Sequence, residues 1–322
     1  MKTMNWLAAG FGALFLSQPA AAQDWPAKPV RFICAFGVGG SSDQIARLMA
    51  DHLSNALGQP FIVENRPGGT GVVGAAMAAK SSPDGYNYLV VFDNLATNPY
   101  LQKKLPYDTV KDFTPIMLFA TSPYGLVVNA AAPYRTLGDL IAAAKLKPGA
   151  LTLGSSGVGS RGHLAIASLE QKAGFKTTQV AYRGPAQIMT DLIGGQITMQ
   201  MGTFFFVSPF VQAKRVRALA VSSAARMAQW PDVPTIAEQG FPGFEVHSWW
   251  GIVAPTGVPK PILQKIHAEM SRILAHPETR TRLERLGMTI RASTPQEFTR
   301  HLAAEMKLWG KVVRDNKISA AQ

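Results

Sequence analysis

Twice in this chain a short apolar run ends in a loop of glycine and serine and continues as a helix-like repeat. The first unit runs from Val30-Arg-Phe-Ile-Cys-Ala-Phe36 through Gly37-Val-Gly-Gly-Ser-Ser42. Ile45, Leu48, Met49, Leu53 and Leu57 then recur at helical spacing before Gly58. A nearly continuous apolar run predicts a strand covered on both faces, as in a parallel sheet, so the chain is expected to be α/β. Ser41-x-x-Gln44 has the form of a capping box at the helix start. The second unit, Leu151-Thr-Leu153 followed by Gly154-Ser-Ser-Gly-Val-Gly-Ser-Arg-Gly-His163 and a helix to Ala173, repeats the same order. Small residues leave backbone N–H groups uncovered, and a helix start adds unpaired donors and the positive end of its dipole. Each loop therefore reads as a cradle for an anion at the carboxyl end of a strand. Two such cradles, far apart in sequence, predict two lobes that grip one ligand.

The N-terminus removes whole classes of function. Lys2, the apolar stretch Trp6–Leu16 and Ala20-Ala21-Ala22 form a secretory signal pattern, with cleavage expected after Ala22. The apolar stretch is too short for a membrane span, and no later run reaches about 18 apolar residues. The mature protein is expected to be soluble and exported. Cys34 is the single cysteine, so no intramolecular disulfide is possible, and it reads as a core thiol or, less simply, a reactive one.

About 300 residues remain after cleavage, which suits two lobes of ordinary size. The formal net charge of +12 is spread along the chain. Its densest patch, Arg280-Thr-Arg282-Leu-Glu-Arg285, contains its own acid, so nucleic acid is not the expected partner. The excess is either a field that attracts small anions or a solvated surface. Further strands are expected near Gln179–Ala181, Thr198–Met201 and Ala218–Val221, with helices over Thr136–Lys145 and Ala186–Ile193. Thr294-Pro-Gln-Glu297 combines an N-cap, Pro at N1 and a capping-box Glu before a helix to about Arg314. No flexible linker is present, so the lobes must be joined by crossings, for which Thr121-Ser-Pro-Tyr-Gly125 and His247-Ser-Trp-Trp-Gly251 are the candidates.

Catalytic patterns fit these loops poorly. Gly37-x-Gly39-x-x-Ser42 lacks the third glycine of a dinucleotide fingerprint, and Gly154-x4-Gly159-Ser160 has Walker-like spacing without the lysine. No Gly-x-Ser-x-Gly elbow can be written around Ser156. His52, His163, His247, His267, His276 and His301 form no H-x3-H pair, so no metal is expected. His163 either donates to a bound anion or satisfies a local backbone group. Asp43 reads as a helix cap or loop brace. Tyr182-Arg183-Gly184 either places a phenol and a guanidinium in the crevice or leaves Arg183 as a solvated charge.

The ordered set of motifs resembles the solute-binding proteins of tripartite tricarboxylate transporters, the Bug-type periplasmic receptors. The resemblance runs from Trp25-Pro-Ala-Lys-Pro-Val30 almost to the C-terminus. It includes Phe36-x-x-Gly39-Gly40-x-x-Asp43-x-x-Ala46-Arg47, Leu57-Gly58-Gln59-Pro60, Val63-Glu-Asn-Arg-Pro-Gly68, Pro83-Asp-Gly-Tyr86, Leu105-Pro-Tyr-Asp108 and Lys111-Asp-Phe113. Ser155-Ser156-Gly157-x-Gly159-Ser160-x-x-His163-Leu164, Asp191-Leu-Ile-Gly-Gly-Gln196, Arg217-Ala-Leu-Ala-Val221, Pro231-Asp-Val-Pro-Thr235 and Trp250-Gly251 follow.

The resemblance implies a two-lobed periplasmic-binding-protein fold of the type II kind, each lobe a mixed, mostly parallel sheet flanked by helices. Residues 23–124 with 250–322 are expected to form one lobe and 125–249 the other. It implies a periplasmic receptor, not an enzyme, monomeric and without cofactor, that closes on a small mono-, di- or tricarboxylate and delivers it to membrane permease subunits. The carboxylate would be held by Phe36, Gly37, Val38, Gly39, Gly40, Ser41 and Ser42 from one lobe and by Ser155, Ser156, Gly157 and Ser160 from the other. Asn94, Thr97, His163, Tyr182, Arg183, Gly184, Asp191 and Thr203 are the candidates for the rest of the crevice. Many relatives read Pro-Phe-Pro-Pro-Gly-Gly where this chain has Ala35-Phe36-Gly37-Val38-Gly39-Gly40. Loss of two prolines predicts a looser loop in the empty state. The competing readings are an exported hydrolase using Ser156 or Ser160 with His163, and a receptor or sensor for a non-carboxylate anion.

Overall fold

The computed structural model describes residues 25–182, 184–315 and 318. The expected signal peptide lies outside them, as does Arg183. The first half of the chain alternates β1 (Val30–Cys34), α1 (Ser41–Leu57), β2 (Phe61–Asn65), α2 (Val72–Ala79), β3 (Asn87–Phe92), α3 (Asn94–Leu101) and β4 (Phe113–Asn129). It continues with α4 (Leu137–Leu146), β5 (Thr152–Ser155), α5 (Arg161–Ala173), β6 (Thr178–Ala181), α6 (Pro185–Ile193), β7 (Met199–Thr203), α7 (Phe204–Gln212) and β8 (Val216–Val221). After β9 (His247–Pro255) come α8 (Lys260–Ala275), α9 (Pro277–Arg285), β10 (Thr289–Ile290) and α10 (Pro295–Asp315). None of the described helices is long and apolar enough to cross a membrane.

The strands follow the order β2-β1-β3-β9-β4-β7-β5-β6, with β8 and β10 also on β4. Pairing is parallel for β1 with β2 and β3, and for β5 with β6 and β7. It is antiparallel wherever β4 or β9 takes part. Both halves are therefore mixed sheets on an α/β plan. β4 joins them: Phe113–Pro123 pairs with β9, Tyr124–Val128 with β7, and Gly125–Asn129 with β8. The turn-rich signal at Thr121–Gly125 is thus a strand interior, and His247–Gly251 likewise opens β9. Pro123, which has no N–H to give, sits where pairing passes from β9 to β7.

Each half buries both faces of its sheet. In the first, Phe32, Met49, Tyr88 and Trp250 pack on one side, and Ile33, Leu89, Trp249 and Phe298 on the other. In the second, Leu126, Leu140, Leu153 and Leu164 oppose Val127, Ile188 and Val207. α10 spans both, with Phe298 and Leu302 on the first half and Trp309 and Val313 on the second. Burial on both faces is why the strands read as apolar runs without alternation.

Candidate functional site

Where the halves meet, the carboxyl ends of β1, β3, β5 and β7 open onto a cleft with about 720 Å³ of empty space, part of it open to solvent. Phe36, Gly40, Ser41 and Ser42 line it from one half, and Ser155, Ser156, Ser160 and Thr203 from the other, with Asn94 between. The two Gly/Ser loops, more than a hundred residues apart, face the same space.

Five helices begin at this cleft, and none is capped by the side chain of its own N-cap residue: α1 after Gly40, α3 after Asp93, α5 after Ser160, α6 after Gly184 and α7 after Thr203. In α7 the Phe205 amide is taken by Ser122 Oγ at 3.2 Å. Only α1 carries an acid in its first turn. α4, away from the cleft, has a full capping box of Thr136 and Asp139. Open N–H groups and unopposed dipole ends favour an anion, each dipole by roughly 0.3–1 kcal/mol near the surface. The hydroxyls of Ser41, Ser42, Ser156, Ser160 and Thr203 make no side-chain hydrogen bond among the described residues, so they are free to donate. Ser155 is occupied, its Oγ accepting from the Gly157 amide at 3.3 Å and from Gln179.

The first loop is braced from behind. The Asp43 carboxylate accepts from the Gly39 amide at 2.9 Å, from Arg47 Nε at 3.0 Å and from Asn65 at 2.9 Å. Burial acts to raise its pKa, but the hydrogen bonds from Arg47, Gly39 and Asn65 outweigh it and hold the carboxyl below its ordinary value. The capping box expected at Ser41 and Gln44 does not form. Gly40 is the N-cap, and the Gln44 side chain donates to the Gly39 carbonyl instead, which leaves the α1 amides open toward the cleft. Gly37, Val38 and Gly39 shape this loop without lining the cleft, and Val38 projects outward with 67% of its surface exposed.

The second loop is braced in the same manner by His163, whose Nδ1 accepts from the Gly159 amide at 3.1 Å. Burial lowers the imidazole pKa, in keeping with a neutral acceptor. His163 thus serves the local backbone and is not among the lining residues, and no hydrogen bond joins it to Ser156 or Ser160 among the described residues. Tyr182 donates to Asp191 at 2.7 Å. Neither of these, nor Thr97, Gly157 or Gly184, lines the cleft; Thr97 instead caps back onto the Asn94 carbonyl at 3.3 Å.

Beneath the cleft lies a buried charge cluster that the sequence reading missed. Arg161 donates to Glu305 at 2.8 Å and to the Asp93 carbonyl at 3.2 Å, and its Nε stands 3.8 Å from the Asp93 carboxylate. Asp93 also accepts from Tyr124 Oη at 2.8 Å and Ser248 Oγ at 2.9 Å, while Trp249 Nε1 donates to Glu305 at 2.9 Å. The guanidinium stacks on Trp309, 3.9 Å from the ring centre. Burial pushes the Asp93 carboxyl up to about 6, against the pull of Arg161, Tyr124 and Ser248. Asp93 and Arg161 face the cleft yet are tied to each other and to α10. Other lining residues missed from sequence include Thr70, Phe92, Gln200 and Phe206. Only an alternating pattern or an isolated polar residue inside a strand could have flagged Gln200, and neither signal is specific. Among the described residues no cluster of three or more His, Cys, Asp or Glu side chains could hold a metal ion.

Comparison with known proteins places this geometry. Residues 45–318 match the sequence profile of the tripartite tricarboxylate transporter family receptors, TctC. Protein BugT of Bordetella pertussis is 31% identical over 302 residues, covering 93% of both chains. Among solved structures, Rpa4515 of R. palustris, solved with adipate, superposes with a TM-score of 0.89 at 33% identity, covering 92% of this chain and 99% of that one. MatC of Rhodopseudomonas palustris, with bound malate, gives 0.83 at 30% identity, covering 90% of this chain and 100% of that one.

Proposed function

This chain belongs to the tripartite tricarboxylate transporter receptor family, and on that premise we propose that it is an exported receptor that captures a small carboxylate in the cleft and presents it to membrane permease subunits. The observation that carries this reading is the convergence of four uncapped helix N-termini, those of α1, α3, α5 and α6, and five free hydroxyls on one cleft. A carboxylate there gains hydrogen bonds from backbone and hydroxyl donors without a dedicated charged side chain. The relatives solved with adipate and malate support a carboxylate as the ligand class. The proposed lobes are residues 23–124 with 250–322, and 125–249. In the proposed cycle the lobes part about β4 and α10, the anion bridges the two loops, and closure excludes water. The N-terminal signal pattern supports cleavage after Ala22 and a periplasmic location. The chemistry proposed is binding alone, with no covalent step.

Thermal melting of the purified protein against mono-, di- and tricarboxylates tests this. A ligand at a hundred times its Kd should add about 2.7 kcal/mol of stability. A rise in melting temperature is expected for at least one carboxylate, and a flat response to all of them refutes the reading.

A further inference from the structure

Gln200 is the second residue of β7, has 3% of its surface exposed and lines the cleft. Its buried Oε1 has no hydrogen-bond partner, and no partner for Nε2 is found among the described residues. Turning the carboxamide over exchanges the two atoms and leaves a buried polar atom unpaired either way. Such a group costs free energy unless something satisfies it.

The surroundings show what that something must look like. Gly154 stands opposite Gln200 in the β5–β7 register, and Gly202 follows two residues on, on the same face of the sheet. A Cβ at Gly202 would approach Gln200 Nε2 to 3.2 Å, and one at Gly154 would meet Ile188 at 2.6 Å. The two glycines let Ile188, Ile197 and Val207 close in on this face of the sheet, so the amide is surrounded by apolar side chains. The other walls of the cleft are apolar, with Phe36, Phe92, Ile188 and Phe206. The same cleft thus offers free donors for an anion and an unpaired amide among apolar side chains.

Resting on the carboxylate-receptor reading, the geometry points to Gln200 as a specificity residue: the preferred ligand is a carboxylate with an apolar body that carries a neutral hydroxyl or amide group to pair with the Gln200 carboxamide. The anion is held by the helix termini and serines, the body by the phenylalanines, and the neutral polar group by Gln200. A hydroxyl can donate to Oε1 or accept from Nε2, so it satisfies the amide in either orientation.

The test is calorimetric titration of the wild type and Gln200→Met with matched pairs of carboxylates: benzoate against the hydroxybenzoates, and hexanoate against its hydroxylated and carboxamide-bearing counterparts. Methionine keeps the volume and burial of glutamine without its amide, and its melting temperature reports folding. At least one polar-substituted member is expected to bind the wild type about fivefold or more tighter than its plain parent, as a buried hydrogen bond warrants. In Gln200→Met that preference should vanish, with the parent bound as well as or better than in the wild type. Plain and substituted members bound alike by the wild type, or a preference that survives in Gln200→Met, overturns the assignment while leaving the receptor reading intact. Binding of no carboxylate at all overturns both. Should Gln200→Met not fold, Gln200→Leu serves, since it too removes both the donor and the acceptor and should abolish the preference.

Discussion

Gly40, the N-cap of α1, faces Pro185, the first residue of α6, across the mouth of the cleft, and a Cβ on Gly40 would lie 3.1 Å from Pro185 Cγ. The two halves touch here through a residue without a side chain. Gly40 has an extended backbone with φ at −74°, which any residue adopts, so its smallness serves the approach of the other half and not the turn.

Gly40→Ser separates these two effects. Serine is a better N-cap than glycine by a few tenths of a kcal/mol, so the unliganded protein should melt at the same temperature or slightly higher. Its Cβ would press on Pro185 and its hydroxyl would take an amide otherwise open to the anion. Carboxylate affinity should fall by about tenfold or more. Unchanged affinity, measured by calorimetry, would show that neither the contact nor the open α1 amides matter to binding.

Ser42 and Ser156 come from opposite loops and keep free hydroxyls at the cleft. A hydrogen bond to a charged group is worth about 1.5–3 kcal/mol, so Ser42→Ala and Ser156→Ala should each weaken carboxylate binding about ten- to a hundredfold. Melting of the unliganded protein should move little. If only one of the two variants loses affinity, the anion is held from one side and not bridged.

Asp93 gives a pH signature. Its carboxyl is pushed by burial from an ordinary 3.8 to about 6, so it binds a proton more readily folded than unfolded. The stability tied to that proton is fully present below about pH 4 and is lost as pH rises through about 6. The gap corresponds to about 3 kcal/mol. Urea unfolding of the wild type and Asp93→Asn at about pH 4 and about pH 7 should therefore show the wild type losing about that much relative to the variant. A difference independent of pH would mean that Asp93 stays ionised.

Among the described residues Arg161 is the single cation paired with both Asp93 and Glu305. Arg161→Met leaves the buried Asp93 carboxyl and the partly buried Glu305 carboxyl without it and should cost about 3–5 kcal/mol in urea unfolding near neutral pH. Adding Glu305→Gln removes one of the stranded charges, so the double variant should be more stable than Arg161→Met alone. A double variant less stable than the single one would place the value of Glu305 in its bond from Trp249.

The repeated order of apolar strand, Gly/Ser loop and periodic helix was enough to read the α/β class, because each signal acts within a few residues: side-chain spacing, a stop at Gly58, a cap at Thr294. The same locality made the two anion cradles visible, since open amides and small side chains are properties of the loop itself. Local signals misled where partners across the molecule outweighed them. Ser41 and Gln44 spell a capping box, yet Asp43 takes the Gly39 amide and Gln44 turns to the Gly39 carbonyl. Thr121–Gly125 is rich in turn residues, yet it runs through β4, because β9 takes the pairing up to Pro123 and β7 and β8, one on each side, take it from there. The cluster of Asp93, Arg161 and Glu305 and the unpaired amide of Gln200 were beyond the sequence for the same reason. Their environments are made by strand order and by helices tens to hundreds of residues away, and only burial in the tertiary structure turns an ordinary polar residue into one that must find a partner.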